Sequence, residues 1–165
     1  MTDTEREAWV DRYSETLLRM CFIQLQDHAL AEDALQETFI KAWKAMPKYE
    51  RRPILHEKAW LARIALNVCH DVQRSRWMRH VDASQTLEAL PPSVTMVQPE
   101  DRSLFLDICM LPDKYREVLL LYHYQRLSMR DAAKVLGLDV STVHGRLKKA
   151  EALLKRRLTE EVDEG

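Results

Sequence analysis

The chain has 165 residues, of which 31% are charged and 7% aromatic, with only 3 Gly. That composition fits a helix-rich protein long enough for one domain or two small ones. Its 25 Lys and Arg against 26 Asp and Glu leave a formal net charge of -1, which excludes a globally basic nucleic-acid binder and shifts the weight onto where the charges lie.

Helical periodicity runs through almost the whole chain, and strand alternation is nearly absent. The first predicted helix covers roughly Thr4 to Gln26, with Trp9, Tyr13, Leu17, Met20 and Cys21 on its apolar side. No basic segment followed by an apolar run marks a signal peptide at the N-terminus. No stretch of about 18 apolar residues occurs anywhere, so no membrane span is expected and the predicted location is cytoplasmic. Cys21, Cys69 and Cys109 are far apart with no CxxC pair, which points to a reducing compartment and to cysteines used as small core hydrophobes.

A second helix is predicted from about His28 to Met46, capped by Asp27 and ended by Pro47. Leu35, Phe39, Ala42 and Met46 make its buried stripe, while Asp33, Gln36, Glu37 and Ile40 gather on another side. An acidic patch with one apolar residue fits a partner with a basic surface; it is also what an ordinary solvated face looks like. A loop from Lys48 to His56 follows, with Pro53 in its middle.

The third helix is predicted over about Glu57 to Trp77, with Leu61, Ile64, Ala65, Val68 and Val72 packing inward. Arg63, Asn67, His70, Asp71 and Arg74 lie on the other side, followed by Arg76 and Arg79. Trp60 and Trp77 bracket this helix, and Tyr49 precedes the loop. Basic and amide side chains interleaved with aromatics are the ingredients of a single-strand platform, on which bases stack while phosphates are neutralised. The alternative is that both tryptophans are core residues.

From Arg79 to Pro99 periodicity is lost, and Pro91, Pro92 and Pro99 mark a partly extended linker. A second unit begins near Glu100, with helices at about Asp101–Cys109, Asp113–Tyr124, Met129–Leu136 and Val140–Leu158. Its last two helices form the most informative part of the sequence. Ser128 and Asp131 make a capping-box-like start, Gly137 supplies a left-handed stop, and Asp139 caps the second helix. Val143, Leu147, Ala150 and Leu154 face inward, while Ser141, Thr142, His144, Gly145, Arg146, Lys148 and Lys149 form a small, hydroxyl-bearing and basic outer face. This is a helix-turn-helix pattern, and that face suits the major groove of DNA; the plainer alternative is an αα-hairpin with a solvated side. Between Val140 and Arg157 six basic residues oppose only Glu151, and Glu160, Glu161, Asp163 and Glu164 then reverse the sign. Gly145 costs about 1 kcal/mol relative to Ala inside a helix, so it either admits a close backbone approach or is a weak point.

Nothing in the chain reads as a Gly-rich phosphate loop, a metal-ligand set or a nucleophile motif, so no enzyme activity, metal or cofactor is expected. The six histidines are scattered and read as surface or loop residues.

Three motifs also carry a family resemblance. The segment Asp27 to Trp43, with Ala31-Glu32-Asp33, Gln36-Glu37, Phe39 and Trp43, resembles the region 2 helix of bacterial sigma factors. Ala59 to Arg74, with Trp60-Leu61, Arg63-Ile64-Ala65 and Asn67, resembles the next helix, and Leu111 to Leu121 with the helix-turn-helix resembles region 4. Their order, and the lack of room for further regions, make the chain similar to the extracytoplasmic-function (ECF) subfamily. The resemblance implies an all-α fold of two small helical domains, a region 2 bundle (1–78) and a region 4 helix-turn-helix unit (100–165), joined by a flexible linker (79–99). It implies that Asp33, Gln36, Glu37 and Ile40 dock on the clamp coiled coil of core RNA polymerase, with the flap as a further contact. The loop Glu50 to Lys58 and the residues Lys58, Trp60, Arg63, Asn67, Asp71 and Arg74 would bind and open the −10 promoter element. Ser141, Thr142, His144, Gly145, Arg146, Lys148 and Lys149 would read the −35 duplex. An anti-sigma factor, often membrane-bound in this family, is the implied regulator. A stand-alone helix-turn-helix regulator is the competing reading, and it leaves the two N-terminal helix faces without a role.

Overall fold

The computed structural model describes the backbone of residues 1–78 and 99–164 and the side chains of 1–75 and 104–159. The predicted linker up to residue 98, the side chains of Arg76, Trp77 and Arg79, and those of the acidic end from Glu160 to Glu164 lie outside the described residues. The described residues form seven α-helices and no strand: α1 (Asp3–Leu25), α2 (His28–Arg51), α3 (Glu57–Met78), α4 (Pro99–Cys109), α5 (Asp113–Leu119), α6 (Met129–Leu136) and α7 (Val140–Glu164).

Local chemistry explains most of the boundaries. The Thr2 hydroxyl accepts from the Glu5 amide while the Glu5 carboxylate accepts from the Thr2 amide, a capping box that starts α1. Gln26 ends α1 in the left-handed region at φ 55, and Asp27 immediately caps α2 by accepting from the Leu30 amide at 3.0 Å. Ser128 caps α6 through the Asp131 amide at 3.0 Å, and Gly137 ends it at φ 67, as the sequence pattern predicts.

Pro47 does not end α2. The helix runs through it to Arg51, although proline removes one backbone donor and crowds the preceding turn. Contacts beyond the proline override that local cost. Tyr49 stacks on Trp60 with ring centroids 4.0 Å apart, and its hydroxyl donates to the Leu55 carbonyl at 2.6 Å.

In the N-terminal unit α1, α2 and α3 pack on one another, and in the C-terminal unit α5, α6 and α7 do. The two units also share one continuous buried cluster. Met20 to Leu25 are six consecutive buried residues, an all-round burial that a helix at a protein surface does not show. The cause is a second cover: α4 and α5 lie against α1, while α6 lies against α3. Phe22 of α1 stacks on Phe105 of α4 at 5.5 Å, a pairing worth about 0.5–1.5 kcal/mol beyond its buried area. On α3 the predicted stripe is joined by buried Ala62, Leu66 and Cys69, so the helix is apolar on two sides.

After α5 the chain makes a single π-helical turn, Leu120–Tyr124. The turn leaves Gln125 fully buried, and its side-chain amide donates to the Thr16 carbonyl of α1 at 3.2 Å. All three cysteines are buried and free, and burial pushes the Cys109 thiol up to about 12. Thiols held in that state are core hydrophobes, not nucleophiles.

Candidate nucleic-acid and polymerase interfaces

The acidic face of α2 forms as the 3.6-residue repeat requires. Asp33, Gln36, Glu37 and Ile40 are all exposed and fall on one narrow stripe; Ile40, at 45% exposure, is an unusually open isoleucine. Phe39 and Ala42 point the other way into the core, with Trp43 packed against it and Leu35 only half-buried. Among the described residues no ion pair accounts for the charge on this stripe.

Trp60, Arg63, Asn67, Asp71 and Arg74 follow one another at three- or four-residue steps and form a single line along α3. Arg63, Asn67, Asp71 and Arg74 are exposed. Asp71 is bridged by Arg74 and, at 3.9 Å, by Lys41 of α2, which fixes its carboxylate between two cations. Lys58 does not join this line; it lies two residues before Trp60, in the first turn, and helical geometry puts it on the opposite side.

Trp60 is not an open platform. One ring face is occupied by Tyr49, and Trp9 meets it edge-on at 6.3 Å. The two stacked rings instead form a wall of a cleft of about 500 Å³, completed by Ala45, Lys48, Arg52 and Ile54. That volume is within the range of small-ligand sites, roughly 300–1,000 Å³. Ile54 at its mouth is 60% exposed. The sequence pattern includes Tyr49 among the platform aromatics and the loop Glu50 to Lys58, with Arg52 and Ile54, in the −10 surface; Lys48 is not among its site residues, because ending α2 at Pro47 hides the turn that brings it beside Trp60. The basic and aromatic residues that follow Pro47 were the available signal.

The recognition face of α7 is also open. Ser141, Thr142, His144, Gly145, Lys148 and Lys149 are exposed and Arg146 is half-buried at the margin, while Val143, Leu147 and Ala150 are buried beneath. A Cβ added to Gly145 would meet no atom within 4 Å, so packing inside the protein does not require glycine there. The histidine reading needs one correction. His56, His123 and His144 are exposed and His28 is half-buried beside Glu32 at the start of α2, whereas His70 is half-buried and bonded to Glu117 of α5 across the two units.

The arrangement defines a helix-turn-helix protein with a second basic and aromatic surface on its other unit, and no described helix is long and apolar enough to cross a membrane. Sigma-70 region 2 matches residues 9–79, and Sigma-70 region 4 matches residues 108–154. The chain is 31% identical over 157 residues to the ECF RNA polymerase sigma factor SigL of Mycobacterium tuberculosis, covering 93% of this chain and 88% of that protein. It is 29% identical over 168 residues to the ECF sigma factor SigW of Bacillus subtilis, covering 90% of this chain and 86% of the other. Among solved structures, CnrH in complex with the cytosolic domain of CnrY has a TM-score of 0.71 at 26% identity, covering 96% of this chain and 90% of that one. The sigma factor RpoE in complex with the anti-sigma factor NepR from Bartonella quintana has a TM-score of 0.73 at 23% identity, covering 93% and 98%, and shows the same fold. The chain belongs to the ECF sigma factors, the non-enzymatic subunits that give bacterial RNA polymerase its promoter specificity.

Proposed function

We propose a division of labour among the three exposed faces. The α2 stripe of Asp33, Gln36, Glu37 and Ile40 docks on the clamp coiled coil of core RNA polymerase, with Ile40 as the apolar centre of an acidic rim. The α3 line reads the −10 strand: Arg63 and Arg74 neutralise phosphate, and Asn67 offers an amide to a base edge. The cleft walled by Tyr49 and Trp60 accepts a base taken out of the stack, and Lys48 and Arg52 hold its phosphate. Capture of an unstacked base stabilises the melted promoter by binding energy alone. The α7 face, Ser141 to Lys149, lies in the major groove of the −35 element, with Arg146 and Lys149 on phosphates or guanine edges.

In this reading residues 1–78 and 100–165 are the two promoter-reading modules, 79–99 is the linker between them, and the chain acts in the cytoplasm under an anti-sigma factor. The observation that carries it is that all three faces are exposed at helical spacing while their opposite sides are buried. A stand-alone DNA-binding regulator would need the α7 face alone. Co-purification with core polymerase at moderate salt tests the assignment. A stable complex supports it, and the absence of one sinks it.

A further inference from the structure

The strongest feature not absorbed by that reading is the distal half of α7. The helix runs for 25 residues. Ser141 to Lys149 span only about 12 Å of it at 1.5 Å per residue, and the major groove is about 12 Å wide. The exposed face continues past that point. Lys155 and Arg156 are exposed and stand seven residues beyond Lys148 and Lys149. Seven residues fall about 20° short of two full turns, so the four cations form two pairs on one side of the helix, about 10 Å apart along its axis. Ala152 lies between the pairs and is also exposed, so nothing bulky separates them.

The charge of these pairs is not offset among the described residues. Between Val140 and Arg157, Arg146 sits half-buried at the margin, and Arg157 is bound to Asp107, a buried carboxylate of α4, at 3.3 Å. Glu151, the one acid of that stretch, pairs with His123 of the π-helical turn at 3.1 Å. Lys148, Lys149, Lys155 and Arg156 are left without an acidic partner among the described residues. The acidic run that begins at Glu160 marks where the basic stretch ends in the sequence. The distal half is also held in place. Leu153 and Leu154 pack against the core, and the Arg157–Asp107 pair ties this part of α7 to α4. A helix fixed that way presents Lys155 and Arg156 in constant register with Lys148 and Lys149, and little further ordering is needed on binding.

We propose that Lys155 and Arg156 bind the sugar–phosphate backbone that borders the groove, a second and sequence-independent anchor for the −35 duplex. The residues that fill the groove end at Lys149, and the next two turns of the same face lie over the phosphate rail. Both cations fall beyond residues 108–154, the span that matches Sigma-70 region 4, so the anchor lies outside the shared motif. Phosphate contacts carry no base information but fix register and add affinity on any sequence. The anchor therefore strengthens binding at every promoter alike and makes it steeper in salt. The proposal rests on the placing of α7 in the −35 groove, and its test separates the two.

Binding of the full chain to a long mixed-sequence duplex, titrated by fluorescence anisotropy at several salt concentrations, decides the matter. In Lys155→Ala/Arg156→Ala the slope of log K against log salt should fall by about 1.8, the value of two phosphate contacts, with Tm near wild type. Lys155→Arg/Arg156→Lys, which keeps both charges, should retain the wild-type slope. A wild-type slope in the alanine pair, where Lys148→Ala/Lys149→Ala flattens it, overturns the anchor and leaves the groove assignment standing. Unchanged slopes in both alanine pairs remove α7 from the duplex and overturn both. A second duplex of unrelated sequence should give the same loss. A loss confined to one sequence makes the pair base-reading and refutes the backbone role.

Discussion

Gln24 and Arg116, ninety-two residues apart in the chain, meet at 2.7 Å inside the protein. Each is nearly inaccessible to water, at 3% and 5% exposure. The Arg116 guanidinium also donates to the Leu111 and Cys109 carbonyls and pairs with Asp113, so its own unit holds it in place whether or not Gln24 is present. Gln24 is thus the replaceable half of the contact.

The contact between α3 and α5 should respond to pH through His70. Its hydrogen bond to Glu117 is the main influence that raises its pKa; Asp113 adds to it, while burial and Arg74 oppose it. Protonated His70 therefore favours the packed structure. That contribution is fully present below the ordinary imidazole pKa of about 6.5 and is lost as pH rises through the raised value. The Tm of the chain should fall as pH rises above about 6.5, and His70→Gln should flatten the curve. A slope that survives in His70→Gln assigns the effect to another group.

Gly145→Ala separates helix strength from groove fit. The added methyl meets nothing within 4 Å, and the substitution should stabilise α7 by about 1 kcal/mol, seen as a raised Tm. Binding to a −35 duplex should weaken, because the methyl now stands between backbone and DNA. Unchanged or tighter binding removes the close-approach role of Gly145.

Lys149→Ala should weaken promoter binding across sequences and reduce the slope of log K against log salt by about 0.9, the value of one phosphate contact. Titration at three or more salt concentrations checks it. Parallel lines for variant and wild type would place Lys149 outside the interface.

Glu37→Lys reverses a charge on the exposed α2 stripe and touches no buried group. Affinity for core polymerase should fall, with helicity and Tm held near wild type. Normal core binding by this variant would break the clamp assignment.

What the sequence made legible was local. Ser128, Gly137 and Asp27 announce helix ends through their own backbone neighbours, and the structure places all three at those ends. The exposed faces of α2, α3 and α7 follow from period alone, because one side of each helix has a core to meet. Tertiary effects were hidden. Pro47 reads as a stop until Tyr49 is seen stacked on Trp60, and the stack needs a helix that follows in sequence. Gln24 and Glu117 carry no signal in the sequence, since their partners lie on another unit and no short-range spacing points to them. Ala62 and Leu66 are apolar in the sequence, but the period gives α3 one buried side where the structure gives it two.

Reconstituted transcription from fragmented genomic DNA, with core polymerase and the purified chain, tests the central claim most directly. Mapped start sites above the core-only background, sharing two upstream elements about 25 base pairs or 85 Å apart along the duplex, are the expected result. Start sites no different from those of core polymerase alone would contradict it.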